Sequence, residues 1–174
     1  MDRIWAPWRA QYILASAGKP APVDSCFICA AERSDRSSDR ENLLVHRGEQ
    51  ALVLLNRYPY NNGHLLVAPR VHKASPGDCT IEEWTAPLAL VKSLVDVLSG
   101  MLGPHGFNVG LNLGRSAGAG LPGHLHWHIV PRWDGDTNFM PVLGDAKVIV
   151  ESLDAFYDRL IERLSSSPSF TGSP

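Results

Sequence analysis

Three histidines, at 124, 126 and 128, alternate with Leu125, Trp127 and Ile129 in the stretch HLHWHI. In an extended strand, residues two apart share a face, so the imidazoles point one way and the apolar side chains the other, toward a core. A solvent-facing polar stripe would show the same alternation. Three imidazoles on one face, however, gather groups that titrate near neutrality, ligate metals and attack as nucleophiles. Two chemistries follow. Converging imidazoles can hold one metal ion, and a neutral imidazole whose second nitrogen is hydrogen-bonded can act as a nucleophile. A second pattern lies upstream, where Cys26 and Cys29 form a CxxC. The pair supplies half of a tetrahedral zinc site, which one histidine of the stripe and one from elsewhere would complete. Without metal it reads as two small thiols in a helical turn.

The chain that must position these groups has 174 residues, enough for one domain with a real core. It is 44% hydrophobic and 20% charged, the texture of a soluble globular protein. With 16 basic and 18 acidic side chains its net charge is -2, which argues against nucleic-acid binding by bulk charge and leaves room for a local phosphate pocket. Three cysteines are too few and too oddly numbered for a disulfide framework, so a reducing cytoplasm is expected. No signal peptide is read at the N-terminus. No stretch is read as approaching the roughly 20 apolar residues of a membrane span, so no membrane partner is expected.

The aromatic stretch 4–14 reads as a short helix or an arm suited to docking. The polar run 32–41 reads as an exposed connection. NLLVHRG and QALVLLN read as two strands about Gly48, and NRYPYNNG (56–63) as a turn cluster before a third strand, HLLVAP. Residues 80–102 predict the main helix, with Thr80 and Glu83 as a capping box. Pro87 suggests a kink or a later start. GFNVGLNLG predicts a strand with Phe107, Val109, Leu111 and Leu113 on one face, and the small-residue loop RSAGAGLPG leads into a last strand beginning at His124. Residues 151–164 predict an amphipathic helix, followed by a frayed tail. Antiparallel strands with segregated helices give the class α+β.

HLHWHIV followed by Pro131 and Arg132 resembles the signature of the histidine triad superfamily. NRYPYNNGHLLVAPRVH (56–72) resembles the segment upstream of it, and FNVGLNLG the strand before it. RIWAPWRAQYI, PHGFNVGLNLG and VPRWDGDTNFMPVLGDAKVI are similar to the branch of bacterial diadenosine tetraphosphate phosphorylases, so the likeness spans about residues 3–150. It implies a five-stranded antiparallel sheet with a main helix and a C-terminal helix. On that reading 1–41 is an arm carrying the CxxC, 42–150 the catalytic domain and 151–174 a C-terminal helix and tail. The resemblance also implies nucleotidyl transfer through a covalent histidine intermediate. His126 would be the nucleophile on the α-phosphorus of a dinucleoside polyphosphate, with inorganic phosphate or water as the second acceptor. His128 would serve the bridging oxygen or phosphate, and His64 would be a fourth histidine near the phosphate. Asn56 would meet the ribose and Asn112 the phosphate or ribose, while Ser116 or the loop backbone at Gly120 would bind the incoming phosphate.

One departure stands out. Many members carry Gln and then Ser or Thr four and three residues before the first triad histidine, where this chain has Gly120 and Leu121. The missing hydroxyl makes activity on small phosphoramidates a poorer expectation. Zinc-bearing members imply Cys26, Cys29, His72 and His124 as a closed structural site, with His46 and His105 as spare ligands and Cys79 as a loop thiol. Two rivals stay open: one catalytic zinc held by the three triad histidines, and a nucleotide-binding module without turnover. A homodimer or a larger homo-oligomer is implied, pairing across the main helix and an edge strand.

Overall fold

The computed structural model of the chain describes residues 25–144 and 148–171. The aromatic stretch expected at 4–14 lies outside them. Five strands form one antiparallel sheet: β1 (Leu44–Arg47), β2 (Ala51–Leu55), β3 (Leu65–Pro69), β4 (Gly106–Leu111) and β5 (Trp127–Arg132), in the spatial order β1-β2-β3-β5-β4. Helix α1 (Phe27–Arg33) precedes the sheet, and α2 (Ile81–Leu102) connects β3 to β4. The chain ends with a short α3 (Met140–Gly144), α4 (Leu153–Ser165) and α5 (Pro168–Thr171). The expected α+β class and five-stranded antiparallel sheet are what the chain adopts.

Strand alternation divides the sheet between two cores. Val53, Val67, Leu65 and Ile129 face one side and pack with Val91, Leu94, Val97 and Leu98 of α2 and Phe156, Leu160 and Leu164 of α4. Leu94 has no solvent exposure, and truncating such a side chain to alanine costs about 2–5 kcal/mol. On the opposite face Leu44, Leu52, Leu54 and Ala68 pack with Cys26, Ile28, Cys29 and Ala31 of the α1 region. Helix α1 covers only the β1–β2–β3 end, so the second face of β5 and β4 is left without a helix. That bare strip is where His128 points, since its cross-strand partners are Leu66 and Gly110.

Helix α2 starts as its sequence requires. The Thr80 side chain accepts from the Glu83 N–H, and Glu83 accepts from the Thr80 N–H at 2.8 Å. The helix runs unbroken from Ile81 through Pro87, which is buried, so the later start suggested by the proline does not occur. Gly103 ends it in the left-handed conformation. Contrary to expectation, this 22-residue helix, with a mean hydropathy of 1.4, is long and apolar enough to cross a membrane. Pro87, Val91, Leu94, Val97 and Leu98 are buried on its inner side, while Ile81 and Leu88 stay exposed. The tail also differs from expectation: Pro168–Thr171 is helical, and Phe170 meets His46 edge-on at 5.0 Å.

The last strand is shorter than its alternation suggests. It begins at Trp127, so His124 and His126 precede it. The register that pairs Val67 with Trp127 would set Leu125 against Pro69, which has no N–H to give. Leu125 instead donates to the Lys73 carbonyl at 2.8 Å, which draws the His124 segment toward the loop that carries His72.

Candidate active site

Helix α1 is held where its cysteines meet the histidine segment. Arg47 on β1 donates to the carbonyls of Ala31, Glu32 and Ser34 at 2.7–3.0 Å and pairs with Asp39, and Arg70, directly after β3, pairs with Glu32. These bonds satisfy carbonyls that a helix C-terminus leaves open. At the other end Cys26 is the N-cap and Cys29 lies one turn on. His124 donates Nε2–H to the Pro69 carbonyl at 2.8 Å, because a carbonyl only accepts, and this leaves Nδ1 as the lone-pair nitrogen. That nitrogen lies 3.4 Å from both sulfurs, and His72 Nδ1 lies 3.2 Å from Cys29 Sγ. The four ligand atoms all fall within 4.8 Å of one another. A tetrahedral zinc with Zn–S of about 2.3 Å and Zn–N of about 2.0–2.1 Å places S and N roughly 3.5 Å apart, so the donor set fits a metal. Burial, and then the adjacent Cys26, push the Cys29 thiol up to about 11, so Cys29 stays a neutral thiol at neutral pH unless a cation draws off its proton. His46 and His105, the spare ligands, lie elsewhere, against Phe170 and Asp134. Cys79 closes the turn at Pro76–Asp78.

The other histidines are organised by the same logic with a different outcome. His126, 5% exposed, donates Nδ1–H to the His124 carbonyl at 2.8 Å, so its Nε2 carries the lone pair. His64 Nδ1 receives the Tyr60 backbone N–H at 3.0 Å and the Asn56 side-chain amide at 3.2 Å. Asn56 Oδ1 in turn accepts from the Tyr58 N–H, which fixes the amide's orientation. Neutral His64 therefore carries its proton on Nε2 and donates it to His128 Nδ1 at 2.9 Å. The proton of neutral His128 is then on Nε2, a buried atom with no partner among the described residues. Burial, then the His128 and His126 neighbours, hold His64 down to about 3. Burial and then His126 hold His128 down to about 4, and burial also lowers His126. All three are neutral at neutral pH. His124 is committed to the Pro69 carbonyl and the two thiols and His128 Nδ1 to His64, so among the described residues the triad imidazoles are not gathered as one set of metal ligands.

Two cavities flank this relay. Asn56 lines the smaller, about 220 Å³, together with Phe27, Leu43, Leu55 and Tyr58. His128 lines the larger, about 440 Å³, with Tyr60, Asn108, Gly110, Asn112 and Arg132. Tyr60 stacks on His128 with ring centroids 5.8 Å apart. Asn112 also donates to the Gly118 carbonyl at 3.4 Å, tying the loop before the triad to the end of β4.

Residues 38–135 match the HIT domain family. The chain belongs to that family. It is 41% identical over 154 residues to the AP-4-A phosphorylase of Mycobacterium tuberculosis, a match covering 88% of this chain and 79% of the relative. It is 33% identical to an adenosine 5'-monophosphoramidase of Schizosaccharomyces pombe, over 62% of this chain and 74% of that protein. Among solved structures it resembles a Zn-bound histidine triad family protein from Mycobacterium smegmatis, with a TM-score of 0.64 and 22% identity over 83% of this chain and 96% of the other. A histidine triad nucleotide-binding protein from Sulfolobus tokodaii matches with a TM-score of 0.61 and 25% identity, over 83% and 97% of the two chains. As a HIT domain protein the chain is a nucleotide-processing enzyme.

Of the residues singled out in the sequence, Cys26, Cys29, His72 and His124 gather in one cluster, and His64, His128 and Asn56 in one hydrogen-bonded relay with His126 beside it. Ser116 and Gly120 are exposed and line neither cavity. Leu121, where many members have a hydroxyl, is buried in the apolar cluster around Cys26. Sequence reading missed Tyr60, Arg47 and Asn108. Arg47 carried a faint signal as a cation at the end of a short strand that begins Leu44-Val45. The role of the Tyr60 backbone N–H leaves no trace in residue type.

Proposed function

We propose that the enzyme transfers a nucleotidyl group from a dinucleoside polyphosphate such as diadenosine tetraphosphate, through a covalent intermediate on His126, to inorganic phosphate. The observation that carries this reading is the pairing of two fixed tautomers: a lone pair on His126 Nε2 and a proton on His128 Nε2, on rings with centroids 5.0 Å apart. The His126 lone pair attacks the α-phosphorus, and a P–N bond forms as the bridging P–O bond breaks. The electron pair leaves on the oxygen of the departing nucleotide, which receives the His128 proton or hydrogen bond. An acceptor oxygen then attacks the same phosphorus, and the P–N electrons return to Nε2. Holding both groups on one rigid segment makes the attack effectively intramolecular.

The apolar cavity beside Asn56 suits the nucleoside, with Phe27 and Tyr58 against the base and Asn56 near the ribose. The acceptor oxygen enters opposite His126 Nε2, at the position the leaving oxygen vacates beside His128, so the acceptor phosphate takes the larger cavity; the loop of Ser116 and Gly120, expected to bind it, lines neither cavity. The name of the M. tuberculosis relative favours phosphate over water. The buried Leu121 argues against small phosphoramidates, the chemistry named for the S. pombe relative. Zinc at Cys26, Cys29, His72 and His124 would fasten α1 to the triad segment as a closed structural site and supply no step. We infer a cytoplasmic enzyme that assembles as a homodimer through the edge of β4, where Val109 and Leu113 are 44% and 46% exposed.

The deciding experiment incubates the protein with diadenosine tetraphosphate with and without phosphate and identifies the products. ADP and ATP formed only with phosphate is the expected result. AMP and ATP formed in its absence would assign water as the acceptor, and binding without turnover would leave a nucleotide-binding module.

A further inference from the structure

The larger cavity extends well beyond the point of attack. Its floor is the bare strip of β5 and β4, where alternation puts His128, Val130 and Arg132 on the same face opposite Gly110, Asn108 and Gly106. At about 3.4 Å per residue, His128 and Arg132 stand roughly 13 Å apart along the strand. A Cβ at Gly110 or Gly106 would meet nothing within 4 Å, so the floor opposite both residues is clear.

Arg132 is not a loose surface cation. Its Nε and Nη2 donate to the two oxygens of Asp136, and its Nη1 donates to Asn108 Oδ1 at 2.6 Å. Asp136 is fixed in turn by the Asn61 amide at 2.9 Å and the Trp133 N–H at 3.3 Å. The carboxylate is buried while the guanidinium stays about half exposed. Of the five N–H groups of a guanidinium, these bonds use three. One N–H remains on each terminal nitrogen, on a plane already oriented, so binding an anion there orders little that is still free.

We propose that this cavity is the subsite for the phosphates of the leaving nucleotide, with Arg132 as the residue that binds them. The inference rests on the nucleotidyl-transfer reading and gives the second half of the substrate its place. The transferred nucleoside occupies the apolar cavity beside Asn56, the α-phosphorus sits at His126, and the departing polyphosphate runs along the strip from His128 toward Arg132. When the bridging P–O bond breaks, His128 covers the oxygen that takes the electron pair, and Arg132 holds the phosphates beyond it.

The test compares two substrates of the full-length enzyme: diadenosine tetraphosphate, and the p-nitrophenyl ester of AMP, whose leaving group has no phosphate. Arg132→Ala should lower the ratio of kcat/KM for the tetraphosphate over that for the ester by about tenfold or more, chiefly through KM, the scale of losing hydrogen bonds to a charged group. Arg132→Lys, which keeps the charge and loses the fork, should fall between. An unchanged ratio in Arg132→Ala, with both substrates equally affected or neither, would overturn the subsite. A wild-type protein inert on both substrates would overturn the nucleotidyl-transfer reading, and the subsite with it.

Discussion

The chain carries two histidine clusters less than a strand apart, and they are built for opposite partners. In the Cys26–Cys29–His72–His124 cluster, a backbone carbonyl takes the His124 Nε2 proton, so a lone pair points inward at two thiols. In the His64–His128 pair, a backbone N–H occupies His64 Nδ1, so a proton is passed on to His128 and ends on an unpartnered Nε2. The first arrangement offers a lone pair, which suits a cation, and the second offers a proton, which suits an acceptor oxygen. Residue type is the same in both. What separates them is whether the main chain offers each ring a carbonyl or an N–H, and His126 between them takes the carbonyl of His124 and keeps its lone pair on Nε2.

Breaking this division at its centre should have the largest effect. His126→Ala should lower turnover by on the order of 10⁴-fold or more, the scale of losing a nucleophile. Circular dichroism should stay unchanged, and near-normal steady-state rates would refute the mechanism. His128→Ala should cost about 10²–10³-fold on diadenosine tetraphosphate, as expected for a general acid. Its deficit should shrink on an ester whose leaving group needs no proton, and equal deficits on both substrates would remove its role. On the cation side, Cys29→Ala or chelation should leave the activity per folded molecule far less affected than either histidine change. It should lower the melting temperature by about 5–15 °C, the scale of a few kcal/mol in a domain of this size. Metal analysis should find about one zinc per wild-type chain.

A further test of the same division is the pH dependence of stability. His64 and His128 titrate at about 3 and about 4 in the folded protein, both held down mainly by burial, against about 6.5 unfolded. The unfolded chain therefore takes up protons first as pH falls. Their contribution to stability is whole above about pH 6.5 and is lost as pH drops through the folded values. The urea midpoint should be level from about pH 8 to about pH 6.5 and decline below it. A midpoint that stays level to about pH 4 would contradict a neutral buried pair.

Much of this was legible in the sequence, because types and spacing survive folding. HLHWHI announced a shared face, and the resemblance to zinc-bearing members picked out Cys26, Cys29, His72 and His124, which the fold gathers in one cluster. The capping box at Thr80 and Glu83 placed the start of α2 to the residue. What could not be read depends on partners distant in sequence. The true start of β5 at Trp127 follows from Pro69, which stands opposite Leu125 only once the strands are paired. Asn56, expected at the ribose, has its amide on His64, a bond that depends on how the turn at 56–63 closes. The tautomers depend on main-chain groups of Pro69, His124 and Tyr60, which every sequence contains.

The most direct test of the central claim is the position of each ring proton, read from long-range ¹⁵N–¹H correlation spectra of the zinc-loaded protein with histidines assigned by single substitutions. The account predicts the proton on Nδ1 of His126 and on Nε2 of both His124 and His128. A His126 protonated on Nε2, or a His128 with a bare Nε2, would contradict it.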